Sequence, residues 1–276
     1  MAKMKFFDAH SHLHGKEYDT DREEVIARMK EVGVITITVG TDLESSKKAV
    51  ELAERHEGIY ATTGVHPTDT KEIFDEKNYE ELARSKKMVA VGECGLDYYR
   101  LTTDNLQLTM EKERQIENFK KQVEFALKVD KPLMIHCRPS QGTNDAHEDM
   151  LSILSSYSSL STINYKLSTA PRGNIHFFTG TTEVAQKYFD LGFTVSLSGV
   201  ITFAKELETM VRDLPLDKIL SETDCPFASP IPFRGKRNEP SYVVETVKKI
   251  AEIKGISSEE VAATIMNNTK KLFRIA

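Results

Sequence analysis

Residues 8–14 read DAHSHLH, which places three of the chain's eight histidines within five positions, directly after the apolar pair Phe6 and Phe7. Side chains alternate faces along a β-strand, so in an extended segment Asp8, His10 and His12 share one side while Ala9 and Ser11 face the other. Two imidazoles placed in this way can reach one metal ion. The stretch alone also fits a merely solvated, histidine-rich start, so its meaning depends on what the rest of the chain sets beside it.

A chain of 276 residues with 39% hydrophobic content can bury a large core, either as one α/β barrel or as two modest domains. The formal net charge of −5 supplies no general basic field, so an anionic ligand must be held by a local patch or by metal ions. There is no apolar run long enough to span a bilayer and no charged-then-apolar leader, and a cytoplasmic, enzyme-sized protein is expected. Cys94, Cys137 and Cys225 are odd in number and unrelated in context, which argues against a disulfide framework and for a reducing compartment.

Working outward from the first strand, short β-branched runs alternate with amphipathic stretches. KFFDAH, ITITVG, IYATTGVH, MVAVGECG, PLMIHC, NIHFF, FTVSLSG and KILSETD are eight candidate strands. Between them lie helical patterns such as Ile116, Phe119, Val123 and Leu127. Capping boxes are expected at Thr20 with Glu23 and at Thr41 with Glu44, and the last helix opens at Ser257 and Glu260 after Gly255. Eight strand–helix units in this length are the arithmetic of a (β/α)8 TIM barrel forming a single domain over residues 1–276. One stretch breaks the rhythm: the Ser-rich segment around 155–172, including SSYSSLSTINYKLST, is read as an inert loop insertion on the barrel's bottom.

On this frame His10 and His12 end the first strand, Glu93 the fourth, His136 the fifth, His176 the sixth and Asp224 the eighth. All six fall at C-terminal strand ends, the face that carries chemistry in such barrels, and all are nitrogen or oxygen donors for divalent cations. Six donors exceed the three usual for one catalytic zinc, so two ions are expected (Mg²⁺, Mn²⁺ or Zn²⁺). One would take His10 and His12, the other His136 and His176, with Glu93 bridging and Asp224 joining the first ion and accepting the proton of attacking water. The three cysteines each follow a proposed ligand by one residue and are expected to point away. Glu222 has the parity of Asp224, either facing inward to orient a ligand histidine or turned out by a bulge. His66 lies on the same rim, as a substrate contact, a proton donor or a turn-shaping residue before Pro67. His14, His56 and His147 are assigned to the surface.

These residues sit in DAHSHLH (8–14), GVHP (64–67), GECGLDYY (92–99), IHCR (135–138), HFFTG (176–180), SLSGVITF (196–203), ETDCP (222–226) and PFRGKRNEP (232–240). In that order and spacing they resemble the TatD family of metal-dependent deoxyribonucleases over essentially the whole chain. The resemblance implies a TIM barrel with one or two divalent ions that hydrolyses DNA phosphodiesters, commonly as a 3′ to 5′ exonuclease on single strands. The family's ligand positions fall on His10, His12, Glu93, His136, His176 and Asp224. The chain departs from it with His14 in place of an Asp, Phe177 in place of a Cys, and the Ser-rich insertion.

A polynucleotide needs positive charge on the catalytic rim. Arg234, Lys236 and Arg237 offer it after the eighth strand, with Arg100 and Arg138 after the fourth and fifth. The alternative for the first group is a loop latch in which Arg237 pairs with Glu239. Tyr98, Tyr99, Phe203 and Phe233 either stack on unpaired bases or pack under their loops. The expected substrate is single-stranded DNA or another phosphodiester, with no membrane and no obligate protein partner. A hydrolase of amide or ester bonds, for example an aminoacyl-tRNA deacylase-like enzyme, is the second reading. It is weakened because amidohydrolase barrels usually carry a carbamylated Lys where Glu93 stands. An inactive scaffold is the third, and it predicts a missing ligand where none is missing.

Overall fold

The computed structural model describes residues 5–69, 72–101, 105–163 and 170–276. Its strands are β1 (Phe6–Ser11), β2 (Val34–Val39), β3 (Ile59–Thr63), β4 (Met88–Asp97), β5 (Leu133–Arg138), β6 (Gly173–Ile175), β7 (Thr194–Leu197) and β8 (Ile219–Ser221). They form one parallel sheet in sequence order, as successive right-handed βαβ units require. The edges meet: Ser11 bridges Cys225, and the seam carries His12 N to Cys225 O (2.7 Å) and Asp224 N to His10 O (2.9 Å). The sheet is therefore a (β/α)8 barrel, with all eight strands where the β-branched runs placed them.

The helices are α1 (Arg22–Val32), α2 (Leu43–Arg55), α3 (Glu76–Tyr79), α4 (Asn105–Lys128), α5 (Asp145–Ile163), α6 (Thr182–Asp190), α7 (Glu208–Asp213), α8 (Val243–Lys254) and α9 (Ser258–Phe273). Their apolar stripes pack on outward strand residues such as Ile59, Leu133, Ile135 and Val195. A second cluster joins Phe7, Ile35, Ile37, Val89, Met134 and Leu220. These residues come from strands around the ring and all are buried, so the barrel interior is packed rather than hollow.

Several local expectations need correction. The unit after β3 holds only the one-turn α3 and a short 3₁₀ turn. Helix α1 starts from Asp21 with no side-chain cap, so the Thr20–Glu23 box is absent. Helix α2 is capped by a reciprocal pair one residue later than expected, Asp42 with Ser45. Ser257 does cap α9, accepting from Glu260 N. Of the Ser-rich segment, residues 155–163 extend α5 rather than forming a loop, while 164–169 lie outside the described residues. Among the described residues no helix is long and apolar enough to cross a membrane.

Candidate metal centre

The sequence brings its donors together through departures from regular strand geometry. The β1–β2 register slips between Asp8 and Ser11, a bulge that breaks the alternation grouping Asp8 with the histidines. Asp8 instead accepts from Thr36 Oγ1 (3.0 Å), Thr223 N (2.7 Å) and Thr223 Oγ1 (2.9 Å), fastening β1 to β2 and to the segment after β8. A second slip lies between Val91 and Cys94. There Gly92 (φ 144°) and Gly95 (φ 141°) flank Glu93, and a Cβ at Gly95 would stand 1.9 Å from the His136 carbonyl oxygen. Only glycine permits that approach of β4 to β5.

Glu93 is the hub, 3% exposed, with its two oxygens facing different partners. Oε2 lies 3.5 Å from His10 Nε2 and 3.8 Å from His12 Nε2. The same two nitrogens are 3.7 and 3.5 Å from Asp224 Oδ1. Oε1 lies 2.9 Å from His176 Nε2, 3.0 Å from His136 Nδ1 and 3.3 Å from His66 Nε2. The four histidines selected at strand ends thus converge on the Glu93 carboxylate, Asp224 joins through His10 and His12, and His66 joins the second group.

The outer nitrogens show which ring atoms face inward. His12 Nδ1 is 2.8 Å from the Val39 carbonyl, which only accepts, so that nitrogen carries the proton and the Nε2 lone pair points to the cluster. His136 Nε2 donates to Asp97 Oδ2 at 3.0 Å, leaving the Nδ1 lone pair inward. His176 Nδ1 faces Glu222 Oε1 at 3.5 Å. An outer ring nitrogen anchored by a carbonyl or carboxylate is the usual setting of a metal-ligating imidazole. Spacing agrees. Bonds of about 2.1 Å at tetrahedral angles put ligand atoms roughly 3.4 Å apart, and His10 Nε2 and His12 Nε2 are separated by 3.3 Å. The donor set fits divalent cations.

His66 differs from the four. Its Nδ1 accepts from Thr68 N (3.2 Å) and sits 2.7 Å from Thr68 Oγ1, so the proton resides on Nε2, which faces Glu93. It presents a donor to the cluster, not a lone pair.

Burial works against ionising Glu93, yet the imidazoles of His66, His176 and His10 hold its carboxyl well below the usual carboxylate range. Burial likewise opposes charge on Asp224, and His12 and His10 more than offset it. For His176 burial is outweighed by Glu93 and Glu222, which raise the imidazole well above its ordinary value.

Two supporting acids have different histories. Glu222 is fully buried and inward-facing, accepting from Phe177 N (2.8 Å) and from Ser196 Oγ. It thereby holds the left-handed backbone of Phe177 (φ 49°) next to His176. Asp97 escaped sequence reading altogether, although it shares the parity of Glu93 on β4. All three cysteines are free; Cys94 and Cys225 are buried away from the cluster, and Cys137 contacts His147 Nδ1 at 3.2 Å.

Above the cluster opens a cavity of about 1160 Å³, whose wall includes Arg100, Arg138 and Phe227. Here the expected rim contacts divide. Arg100 is exposed, and Arg138 stacks its guanidinium 3.9 Å from the ring centroid of the exposed Tyr99. Tyr98 is 1% exposed with its hydroxyl on Asp149 (2.8 Å), so its ring is closed to bases. Arg234 lies over Phe203, Phe233 is stacked on Tyr242, and Lys236 is exposed outside the cavity wall. The alternative Arg237–Glu239 latch does not form either; two longer clasps take its place, Arg237 with Asp21 (2.5 Å) and Arg28 with Glu239 (2.7 Å). Nor are the three other histidines free surface groups: His14 and His147 are buried, and the half-buried His56 lies 3.4 Å from Glu23. Phe227, 58% exposed and edge-on to His12, lies one residue beyond the ETDCP motif, and no sequence signal places its ring on the rim.

The chain is similar to known proteins along nearly its whole length. Residues 7–274 match the family model described as TatD related DNase. The chain is 40% identical to the "Uncharacterized metal-dependent hydrolase YabD" of Bacillus subtilis, covering 98% of this chain and 99% of that one. It is 31% identical to the "3'-5' ssDNA/RNA exonuclease TatD" of Erwinia billingiae, covering 98% and 99% respectively. Among solved structures, the TatD homologue YJJV of Escherichia coli superposes with a TM-score of 0.82 at 27% identity over 99% of both chains.

Proposed function

We propose, from the premise that this chain belongs to the TatD related DNase family of metal-dependent hydrolases, that it removes nucleotides from the 3′ ends of single-stranded DNA. The observation that carries this reading is Glu93 with one oxygen in each of two donor groups, a layout suited to a pair of cations facing one phosphodiester. The relative named as a 3′ to 5′ exonuclease supports the polarity.

His10, His12, Asp224 and Glu93 would hold one ion, and Glu93, His136 and His176 the other. Divalent ions there supply Lewis-acid polarisation of the phosphoryl group and make water a competent nucleophile near neutral pH. The remaining steps belong to side chains. Asp224, kept ionised at the cavity floor, takes the proton from the attacking water. His66, whose Nε2–H is fixed by Thr68, gives a proton to the departing sugar oxygen. Arg100 and Arg138 bind phosphate oxygens, while Tyr99 and Phe227 offer ring faces to unpaired bases, which favours single strands without strong sequence preference.

The test uses a 5′-labelled single strand with and without chelator. A descending ladder that chelator abolishes, and that Glu93→Ala and Asp224→Asn abolish in folded protein, is expected. Release of intact product from an amide or aminoacyl ester, with DNA untouched, would favour the second reading instead.

A further inference from the structure

Beside the mouth lies a smaller cleft of about 210 Å³, lined by His14, Lys16, Asp19, Arg22, Lys48, Glu51, Leu52 and Arg55. His14, Lys16 and Lys48 also border the main cavity, so the two lie side by side with these residues between them. The cleft holds four cations against two carboxylates. Arg22 and Asp19 neutralise each other at 2.6 Å. Lys16, Lys48 and Arg55 are exposed, and among the described residues no carboxylate is paired with any of them. Lys48, Glu51, Leu52 and Arg55 follow the i, i+3, i+4, i+7 pattern of one helix face, and Lys48 to Arg55 spans about 10 Å along α2. Arg55 Nε donates to the Glu51 carbonyl (3.3 Å), and a row of cations without carboxylate partners, leaving an anion-binding mouth over one side of the rim, is a groove for a linear polyanion.

The loop expected to play that part is occupied elsewhere: Arg237 is clasped by Asp21, and Arg234 covers Phe203. We infer that the cleft of Lys16, Lys48 and Arg55 is a distal phosphate subsite, gripping the backbone of the strand several nucleotides from the scissile bond. The inference rests on the nuclease reading and adds the direction in which the uncut strand leaves the mouth, over the rim between the first two strand–helix units and down the flank of α2. Substrate length then becomes a determinant of affinity, since a dinucleotide fills the mouth alone and a dodecamer fills both.

The ion-loaded protein is titrated with a fluorescent, phosphorothioate-linked single-stranded dodecamer and with the corresponding dinucleotide, reading anisotropy across a range of NaCl. Lys48→Glu with Arg55→Glu is expected to weaken dodecamer binding at least tenfold. It should also flatten the slope of log affinity against log salt by about 1.4, from two lost phosphate contacts at about 0.7 each. Dinucleotide affinity should move less than twofold. Arg55→Glu alone, farthest from the mouth, is expected to cost the dodecamer about threefold, and Lys271→Glu on α9 matches a charge change without effect. Equal weakening for both lengths, or none for either, overturns the subsite. A wild-type protein that binds but does not degrade unmodified strands would defeat the nuclease reading, and the anisotropy comparison would still decide the cleft.

Discussion

Replacing Asp97 by Asn changes one atom and sets a hydrogen-bonding conflict that cannot be resolved locally. Asp97 Oδ2 accepts from His136 Nε2 at 3.0 Å, and Oδ1 accepts from Arg100 N at 3.2 Å. Both partners donate, and a carboxylate has two acceptor ends for them. An amide has one oxygen and one NH₂. If the oxygen faces Arg100, the NH₂ confronts the His136 N–H, and the ring must shift its proton to Nδ1, which extinguishes the lone pair aimed at Glu93. If the oxygen faces His136, the clash moves to the backbone N–H of Arg100. Either way one charge-assisted hydrogen bond is lost, about 1.5–3 kcal/mol. Expressed as affinity this is roughly 10- to 100-fold, the range typical for groups that orient metal-bound imidazoles. The assay is competition for metal against a chromogenic chelator, paired with kcat/KM on a single-stranded oligonucleotide. Weaker binding at one of two sites, with activity recovering toward wild type at excess metal, is expected. An Asp97→Asn protein that holds its ions as tightly as wild type and loses less than twofold in kcat/KM would refute the reasoning.

Other variants separate the roles of neighbouring groups. His66→Gln is expected to lower kcat by roughly 10²- to 10⁴-fold while metal content stays at the wild-type value, because His66 presents a donor rather than a lone pair; loss of an ion on substitution would contradict that. Tyr98→Phe should cost about 1–2 kcal/mol of stability by stranding the bond to Asp149, with KM for DNA unchanged, as checked by urea denaturation beside steady-state kinetics. Burial, only partly offset by Asp145, lowers the His147 imidazole to about 4, against about 6.5 in the unfolded chain. The unfolded chain therefore binds the extra proton first, and stability present above pH 6.5 is lost as pH falls toward 4, by about 3 kcal/mol in total. His147→Gln should remove that component of the pH dependence, and an unaltered stability profile would count against it.

The limits of sequence reading follow from the range of the forces involved. Strand identity was legible because a barrel strand is a short β-branched run between helical patterns, a local property. The convergence of His10, His12, Glu93, His136, His176 and Asp224 was legible because strand ends in this architecture share one face. Asp97 was not, since its role depends on the His136 ring lying 3.0 Å away, and nothing in GLDYY announces that. The place of Asp8 was misjudged because a one-residue bulge shifts the alternation without a local signature. Cap positions slipped by one residue at α2, where Asp42 outcompeted Thr41. The clasp of Arg237 on Asp21 and of Arg28 on Glu239 joins segments more than two hundred residues apart, and sequence proximity suggested the wrong partner. Tyr98 and Tyr99 are adjacent aromatics with opposite fates, one buried on Asp149 and one beneath Arg138, a choice made by packing alone.

The seam between β8 and β1 carries a temporal consequence. His10 and His12 leave the ribosome early, but the backbone bonds that seat Asp224 beside them form only when the eighth strand arrives to shut the ring. A truncated or still-growing polypeptide owns most of the imidazoles without the acid that completes the first half of the centre. The first half of the centre is therefore assembled by ring closure itself, not by the strand that carries its two histidines.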